Sequence, residues 1–269
     1  MAIYDCFQFF DEEHILDLRL NILHDYVDFF VIVESTTDHQ GKSKKLNFDS
    51  KKFKKFNSKI IYIVVDDTEE TIKRPHTGGE SLVEQHQRNS LTRGLKNCGD
   101  EDLVILSDVD EIPNPNKLNV FNKNYKYAVF SQKMFNYKIN LLNETENNWH
   151  GSKICLKKNL KSPQWLRNLK FKKYPFWRID KIKNLQIIED GGWHFAYLKN
   201  PADILKKIKS SAHGEFNKVE FANRENIEKK INMGMDIFDR GITYKKVKID
   251  NTYPEYIIEN KEKFKEWII

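Results

Sequence analysis

Asp108, Asp110 and Glu111 follow directly on the apolar run Leu103-Val104-Ile105-Leu106 in the segment LVILSDVDEIP, residues 103–113. The run has the length and β-branched content of a buried strand, so three carboxylates stand where that strand leaves the core. Alternate residues of an extended segment face the same side, which lets Asp108 and Asp110 act together. Two hard oxygen ligands on one face suit Mg2+ or Mn2+, with water and phosphate oxygens in the remaining positions. The alternative is an acidic turn after a strand, ended by Pro113.

Carboxylates at a strand end need a sheet to present them, and the first half of the chain alternates strand and helix signals. DEEHILDLRLNILHDYV carries Ile15, Leu18, Leu20, Ile22 and Leu23 near helical spacing behind acids suited to a first turn, and FFVIVES follows as a strand. After the loop TTDHQGKSKKLNF, a helix-like SKKFKKF leads to the strand KIIYIVVDD. GGESLVEQHQRNSLTRGLKNCG then reads as one longer helix closing near Gly99. Strand, helix, strand, helix, strand at this spacing predicts an open, largely parallel α/β sheet. In such sheets ligands bind beyond the carboxyl ends of the strands, where Asp108, Asp110 and Glu111 would lie. The expected organisation is an α/β domain over residues 1–200. A C-terminal helical part over 201–269 is expected to begin near Pro201 and pack over the active-site edge. Its helices are ADILKKIKSSAHGEF, RENIEKKINMGMDIF and the closing EYIIENKEKFKEWII.

Composition bounds the rest. A 269-residue chain with 39% hydrophobic and 13% aromatic residues buries a substantial core, which excludes a disordered chain. Its formal charge of +6 suits an anionic substrate without by itself indicating nucleic acid, and nucleic acid is not an expected partner. Between Lys153 and Lys183 eleven Lys or Arg stand against one acid, Asp180, interleaved with Trp165, Phe171, Tyr174, Phe176 and Trp177. Such a stretch reads first as a solvated face, with a phosphate-rich acceptor, a membrane surface or nucleic acid as alternatives. Cys6, Cys98 and Cys155 are odd in number and widely spaced, which suggests neither a disulfide framework nor a CxxC metal site and fits a reducing compartment. The start MAIYDCFQFFDEEH has no cationic, apolar or cleavage-site pattern, and no run approaches the roughly 20 apolar residues of a membrane span. The expectation is a soluble, cytoplasmic protein.

Six blocks, in order over nearly the whole chain, resemble glycosyltransferase family 17. They are IYDCFQFFDEEHILDLRLNILHDYVDFFVIVEST at 3–36, GKSKKLNF at 41–48, EQHQRNSL at 84–91, ILSDVDEIP at 105–113, GGWHFAYL at 191–198 and KIKSSAHGEFN at 207–217. The resemblance implies a GT-A-like, Rossmann-type mixed sheet flanked by helices. It also implies a UDP-sugar donor, UDP-GlcNAc foremost, a Mn2+ or Mg2+ cofactor, inversion at the anomeric carbon, and a glycan or glycoconjugate acceptor. Peripheral contact with a membrane is compatible with that acceptor.

On the same resemblance, Asp110 is the first metal ligand, and Asp108 contacts the ribose or a metal-bound water. His194 in GGWHFAYL, expected just past a strand with two glycines allowing close backbone approach, is a further metal ligand, and His213 is its rival. A packed core histidine is the ordinary alternative for either. Inversion in one step needs a carboxylate to take the acceptor's proton; the candidates are Asp190 and Glu215, with Glu189 and Glu111 behind them. Arg88 and Asn89 resemble residues that line nucleotide pockets in this fold, Glu34 stands where a first strand meets the nucleoside, and Gln85 lies one helical turn before Asn89. Gly41, Lys42 and KRPHTGGE at 73–80 lie near the same edge, and no Walker pattern is present. A metal-dependent nucleotidyltransferase, a nucleotide-sugar hydrolase and a non-enzymatic polyanion-binding protein are the alternative functions.

Overall fold

Strands covered on both faces read as continuous apolar runs, because water reaches neither face. Runs of this kind form the centre of the sheet in a computed structural model that describes residues 1–38, 41–68, 82–172, 174–210 and 223–269. The chain divides into two compact units, residues 1–131 with 150–192 and residues 132–149 with 193–269.

In the first unit β1 (Ile3–Gln8) is followed by α1 (Glu13–Leu23), β2 (Phe29–Ser35), β3 (Ile60–Val65), α2 (Leu82–Asn89), β4 (Leu103–Asp108) and β5 (Glu111–Pro113). β6 (Tyr127–Asn136) carries the chain into the second unit, β7 (Leu141–Asn143) lies within it, and β8 (Trp149–Leu156) brings the chain back. α3 (Pro163–Asn168) and β9 (Leu185–Ile188) belong to the first unit. From β10 (Gly192–Ala196) the chain runs on through α4 (Pro201–Ser210), α5 (Arg224–Asn232), β11 (Tyr244–Lys246) and α6 (Glu255–Glu259).

The fold is a mixed α/β sheet flanked by helices. Its first-unit order is β8-β4-β1-β2-β3, parallel from β4 to β3, with β8 antiparallel to β4. Gln8 lies opposite both Asp108 and Val33, so the carboxyl ends of β1, β2 and β4 share one edge. Tyr4, Cys6, Val31, Val33, Val104, Leu106, Val129 and Cys155 form the core of the sheet face over which Leu91, Leu95 and Leu166 pack. α1 buries Ile15, Leu16, Leu18, Leu20, Ile22 and Leu23, each worth roughly 2 kcal/mol as apolar area removed from water.

Several elements are shorter than the sequence predicts. SKKFKKF yields only the single 3-10 turn Lys54–Phe56, since its lysines leave just Phe53 and Phe56 to anchor it. The helix expected to run to Gly99 ends at Asn89 and continues as 3-10 over Ser90–Leu95. EYIIENKEKFKEWII gives α6 and a separate 3-10 turn, Lys265–Trp267, rather than one closing helix. Val109 and Asp110 form a turn between β4 and β5, so the alternation of an extended chain does not extend to Asp110.

The turn joining β9 to β10 is tightly fixed. Asp190 sits at φ +50° and Gly192 at φ +135°, and a Cβ added to Gly192 would lie 2.2 Å from the Ile112 carbonyl oxygen. The Gly191 carbonyl accepts from Asn114 N–H and its own N–H donates to Ser131 O, both at 2.7 Å. The close backbone approach expected of these glycines is thus present.

In the second unit β11, β7 and the latter part of β6 are successive neighbours, and β10 runs parallel to β6 with His194 opposite Met134. Tyr137, Leu141, Ile204, Ile227, Ile231 and Ile237 form its core. Among the described residues no helix is long and apolar enough to cross a membrane.

Candidate active site

Asp108, the last residue of β4, lies between two guanidinium groups. Arg167 Nη2 donates to its Oδ2 at 2.7 Å and Arg88 Nη2 approaches its Oδ1 at 3.5 Å. Each arginine is held by a second set of contacts. Arg88 is buried and donates to Glu84 Oε1, one helical turn earlier, and to Gln164 Oε1, both at 2.6 Å. The Gln164 N–H donates in turn to Asn89 Oδ1, which ties α3 to α2. Arg167 also lies 3.5 Å from Glu111 Oε1, and Glu111 and Asp108 together push its pKa above the ordinary arginine range. α3 starts where it does because Ser162 caps it, accepting from Trp165 N–H, with Pro163 in the first turn.

The turn bearing Asp110 is fixed from below by a buried ion pair. Arg19 of α1 and Asp5 of β1 are both fully buried and joined through two hydrogen bonds of 2.5 and 2.7 Å. Arg19 Nη1 then donates to the carbonyl oxygens of Asp108, Val109 and Glu111, at 3.2, 3.3 and 2.6 Å. Ser152 adds a hydroxyl to Glu111 O at 2.9 Å, and Glu111 Oε2 accepts from Asp108 N–H. Asp110 is left partly exposed at the apex.

A third cation completes the set. Lys153 of β8 is buried; its amine donates to the Arg167 carbonyl and lies over the Phe171 ring. Burial, with Arg167 close by, lowers its pKa to about 7. Arg167 and Lys153 both come from the basic stretch that the sequence presents as a solvated face. Lys158, Lys161, Lys170, Lys172, Lys181 and Lys183 do lie exposed, as that reading expects.

The other predicted residues are placed as follows. Glu34 is fully buried near the end of β2, accepting from Lys44 Nζ, Asn47 N–H, Phe48 N–H and Tyr62 OH. Gln85 is half-buried on α2. Asp190 is exposed, and its carbonyl accepts from Asn114, three residues beyond Glu111. His194 lies inside β10 rather than past its end, buried in the second unit with its ring 5.0 Å from that of Trp149. His213, Glu215 and the segment 73–80 lie outside the described residues. A cavity of about 490 Å³ lined by Ile3, Leu103, Leu118 and Phe121 is at the opposite, amino ends of β1 and β4.

Among the described residues no three His, Cys, Asp or Glu side chains converge as a metal cage. Asp108 is engaged by arginines and Glu111 is buried, while Asp110 stands partly exposed at the apex of the turn and also lies near Arg167. Mg2+-type sites commonly take one or two carboxylates and complete their shell with substrate phosphate and water. The donor set therefore fits a cation that arrives with a diphosphate.

Sequence comparison gives this geometry a context. The model of glycosyltransferase family 17 matches residues 1–268. Beta-1,4-mannosyl-glycoprotein 4-beta-N-acetylglucosaminyltransferase from Homo sapiens is 30% identical over 112 residues, 38% of this chain and 20% of that protein. The same enzyme from Rattus norvegicus matches to the same extent, so the similarity spans a fifth of the length of these relatives.

Proposed function

The chain belongs to glycosyltransferase family 17, and from that premise we propose a reaction: transfer of N-acetylglucosamine from UDP-GlcNAc to a glycan hydroxyl, with inversion and with Mn2+ or Mg2+ as cofactor. The observation that carries it is the paired guanidinium set on Asp108, two residues before Asp110, at the carboxyl end of a parallel strand. An incoming diphosphate exchanges with Asp108 for the N–H groups of Arg88 and Arg167, which are already oriented and need no costly ordering. A bound divalent cation supplies Lewis-acid neutralisation of the leaving diphosphate. Asp110 is the residue that would hold it.

Asp190 and Glu215 are the candidates for taking the proton of the attacking hydroxyl. Asp190 has the support of a turn fastened to Asn114. The name of the mammalian relatives supports the donor sugar. A GT-A-type arrangement is supported by the parallel strands ending at the site. Three unbridged thiols support a reducing, cytoplasmic setting. The acceptor in this reading is a glycan or glycoconjugate reached at a membrane surface.

A panel of nucleotide sugars, each followed by thermal shift with Mn2+ and with chelator, tests the reading. UDP-GlcNAc with Mn2+ should raise the melting temperature in a concentration-dependent way, and chelation should abolish the rise. Stabilisation that persists through exhaustive chelation would remove the cation from the reaction. Release of free N-acetylglucosamine at a rate indifferent to any acceptor would make the protein a hydrolase.

A further inference from the structure

Three large apolar side chains stand in water at one loop of the first unit. Phe176, Trp177 and Ile179 are 84%, 66% and 93% exposed. One exposed apolar residue is ordinary, but three within four positions form a contiguous patch that soluble surfaces generally avoid. The loop is anchored at both ends. Phe171 is buried in the core of the first unit, and Ile182 and Leu185 pack against the same core on the other side. Within the loop Arg178 donates through Nε and Nη2 to the two oxygens of Asp180, each at 2.8 Å. The Lys183 amine donates to the Phe176 carbonyl, and the Phe176 and Trp177 rings meet edge to face at 5.2 Å. Internal bonds thus shape the loop while its apolar side chains point outward.

The surroundings are cationic. Residues 170–183 contain six Lys or Arg and one Asp, a net charge of +5. That single acid, Asp180, is shared by Arg178 and Lys181.

We propose that this loop is a docking face for an anionic lipid bilayer. Phe176, Trp177 and Ile179 enter the zone between headgroups and acyl chains while the flanking lysines meet the negative surface. Aromatic rings at headgroup depth beside lysines are the composition that such an interface selects. A stable protein partner would need about 800 Å² from each side, more than one loop tip supplies. A nucleic acid would engage the cations and stack on Trp177 while leaving Ile179 in water. The proposal rests on the reading that the acceptor lies at a membrane, and it supplies the element that brings the site there.

The test is co-sedimentation of the full chain, without substrates, with vesicles of phosphatidylcholine alone and of phosphatidylcholine mixed with phosphatidylglycerol. Each cation near a negative surface strengthens partitioning about fivefold, so the mixed vesicles should be bound at least tenfold more tightly. The triple variant Phe176→Ser/Trp177→Ser/Ile179→Ser should lose at least tenfold in binding and keep its melting temperature. Lys181→Glu/Lys183→Glu should lose the preference for anionic lipid. Equal sedimentation of wild type and triple variant overturns the proposal, as does failure of wild type to bind either vesicle. Binding that persists in the triple variant and is competed away by an oligonucleotide overturns it in favour of a polyanion site. Transfer to a soluble acceptor, assayed without vesicles, separates the two readings: docking without transfer refutes the reaction alone, and transfer without docking refutes the face alone.

Discussion

Two parallel strands of the first unit carry a carboxylate at their carboxyl ends and use it in opposite ways. Glu34 on β2 is fully buried, and four donors from its own chain converge on its oxygens. They fasten residues 44–48 to the strand. Asp108 on β4 is one-third exposed and is gripped by two guanidinium groups. Backbone N–H groups cannot leave Glu34 without unmaking the fold, whereas an anion from solution can compete for the arginines. Position at a strand end is therefore not enough to make an acid part of a site. The source of its donors and its access to water decide the matter.

The site that Asp108 opens is tested most severely by Asp110→Ala, on the turn that follows it, set beside Glu34→Ala. The first should lower kcat at least about 1000-fold, roughly 4 kcal/mol, while the melting temperature holds to within a few degrees, because Asp110 is partly exposed at the apex of its turn. Steady-state assay and calorimetry on the same sample measure both, and a variant within tenfold of wild-type activity would break the contrast. Glu34→Ala should do the reverse. Stripping one partner from a buried, charged hydrogen-bond set costs about 3 kcal/mol of stability, read as a lower urea midpoint, and the fraction that remains folded should keep most of its kcat.

A narrower test is Arg167→Lys. An ammonium cannot span Asp108 and Glu111 as a planar fork does, so kcat/KM for the donor should fall about 30-fold, roughly 2 kcal/mol. An unchanged value would mean that Arg167 only neutralises local charge.

The smallest expected effect belongs to Lys153. Its pKa in the folded chain is about 7 against an ordinary 10.5, so above pH 7 the unfolded chain holds a proton that the folded chain has released. Stability from this group is therefore gained as pH rises through 7 and absent below it, by about 1 kcal/mol between pH 7 and pH 8. Lys153→Met should flatten that rise in urea titrations at the two pH values. Identical slopes in variant and wild type would show that the amine keeps its proton on folding.

Much of the sheet is legible in the sequence because the centres of parallel strands buried on both faces must be apolar, as FFVIV and LVIL are. Asp108 and Arg88 are legible for a related reason: one ends a strand, and the other sits in a helix feeding it. Arg167 and Lys153 are not, because a basic run has the same composition on a solvated face as at a site, and only the antiparallel placement of β8 beside β4 and the tie of α3 to α2 separate the two. That pairing joins Val104 to Cys155 across some fifty residues of chain, beyond the reach of any local pattern. Arg19 and Asp5 did leave a signal. An arginine flanked on both sides by leucine in LDLRLNIL and an aspartate inside IYDCFQ are charges in apolar surroundings, and buried charges are stable only when paired.

Gly192 bears on how far this chain can change. At φ +135°, with the Ile112 carbonyl occupying the space of a Cβ, the position is closed to every amino acid but glycine on grounds of volume alone, before any demand of catalysis is felt. Saturation mutagenesis screened only for soluble folded protein should accordingly recover glycine alone there, while exposed Glu189, three positions earlier, should accept most substitutions. Free variation of the exposed side chains next to this turn thus coexists with a backbone point that admits no drift.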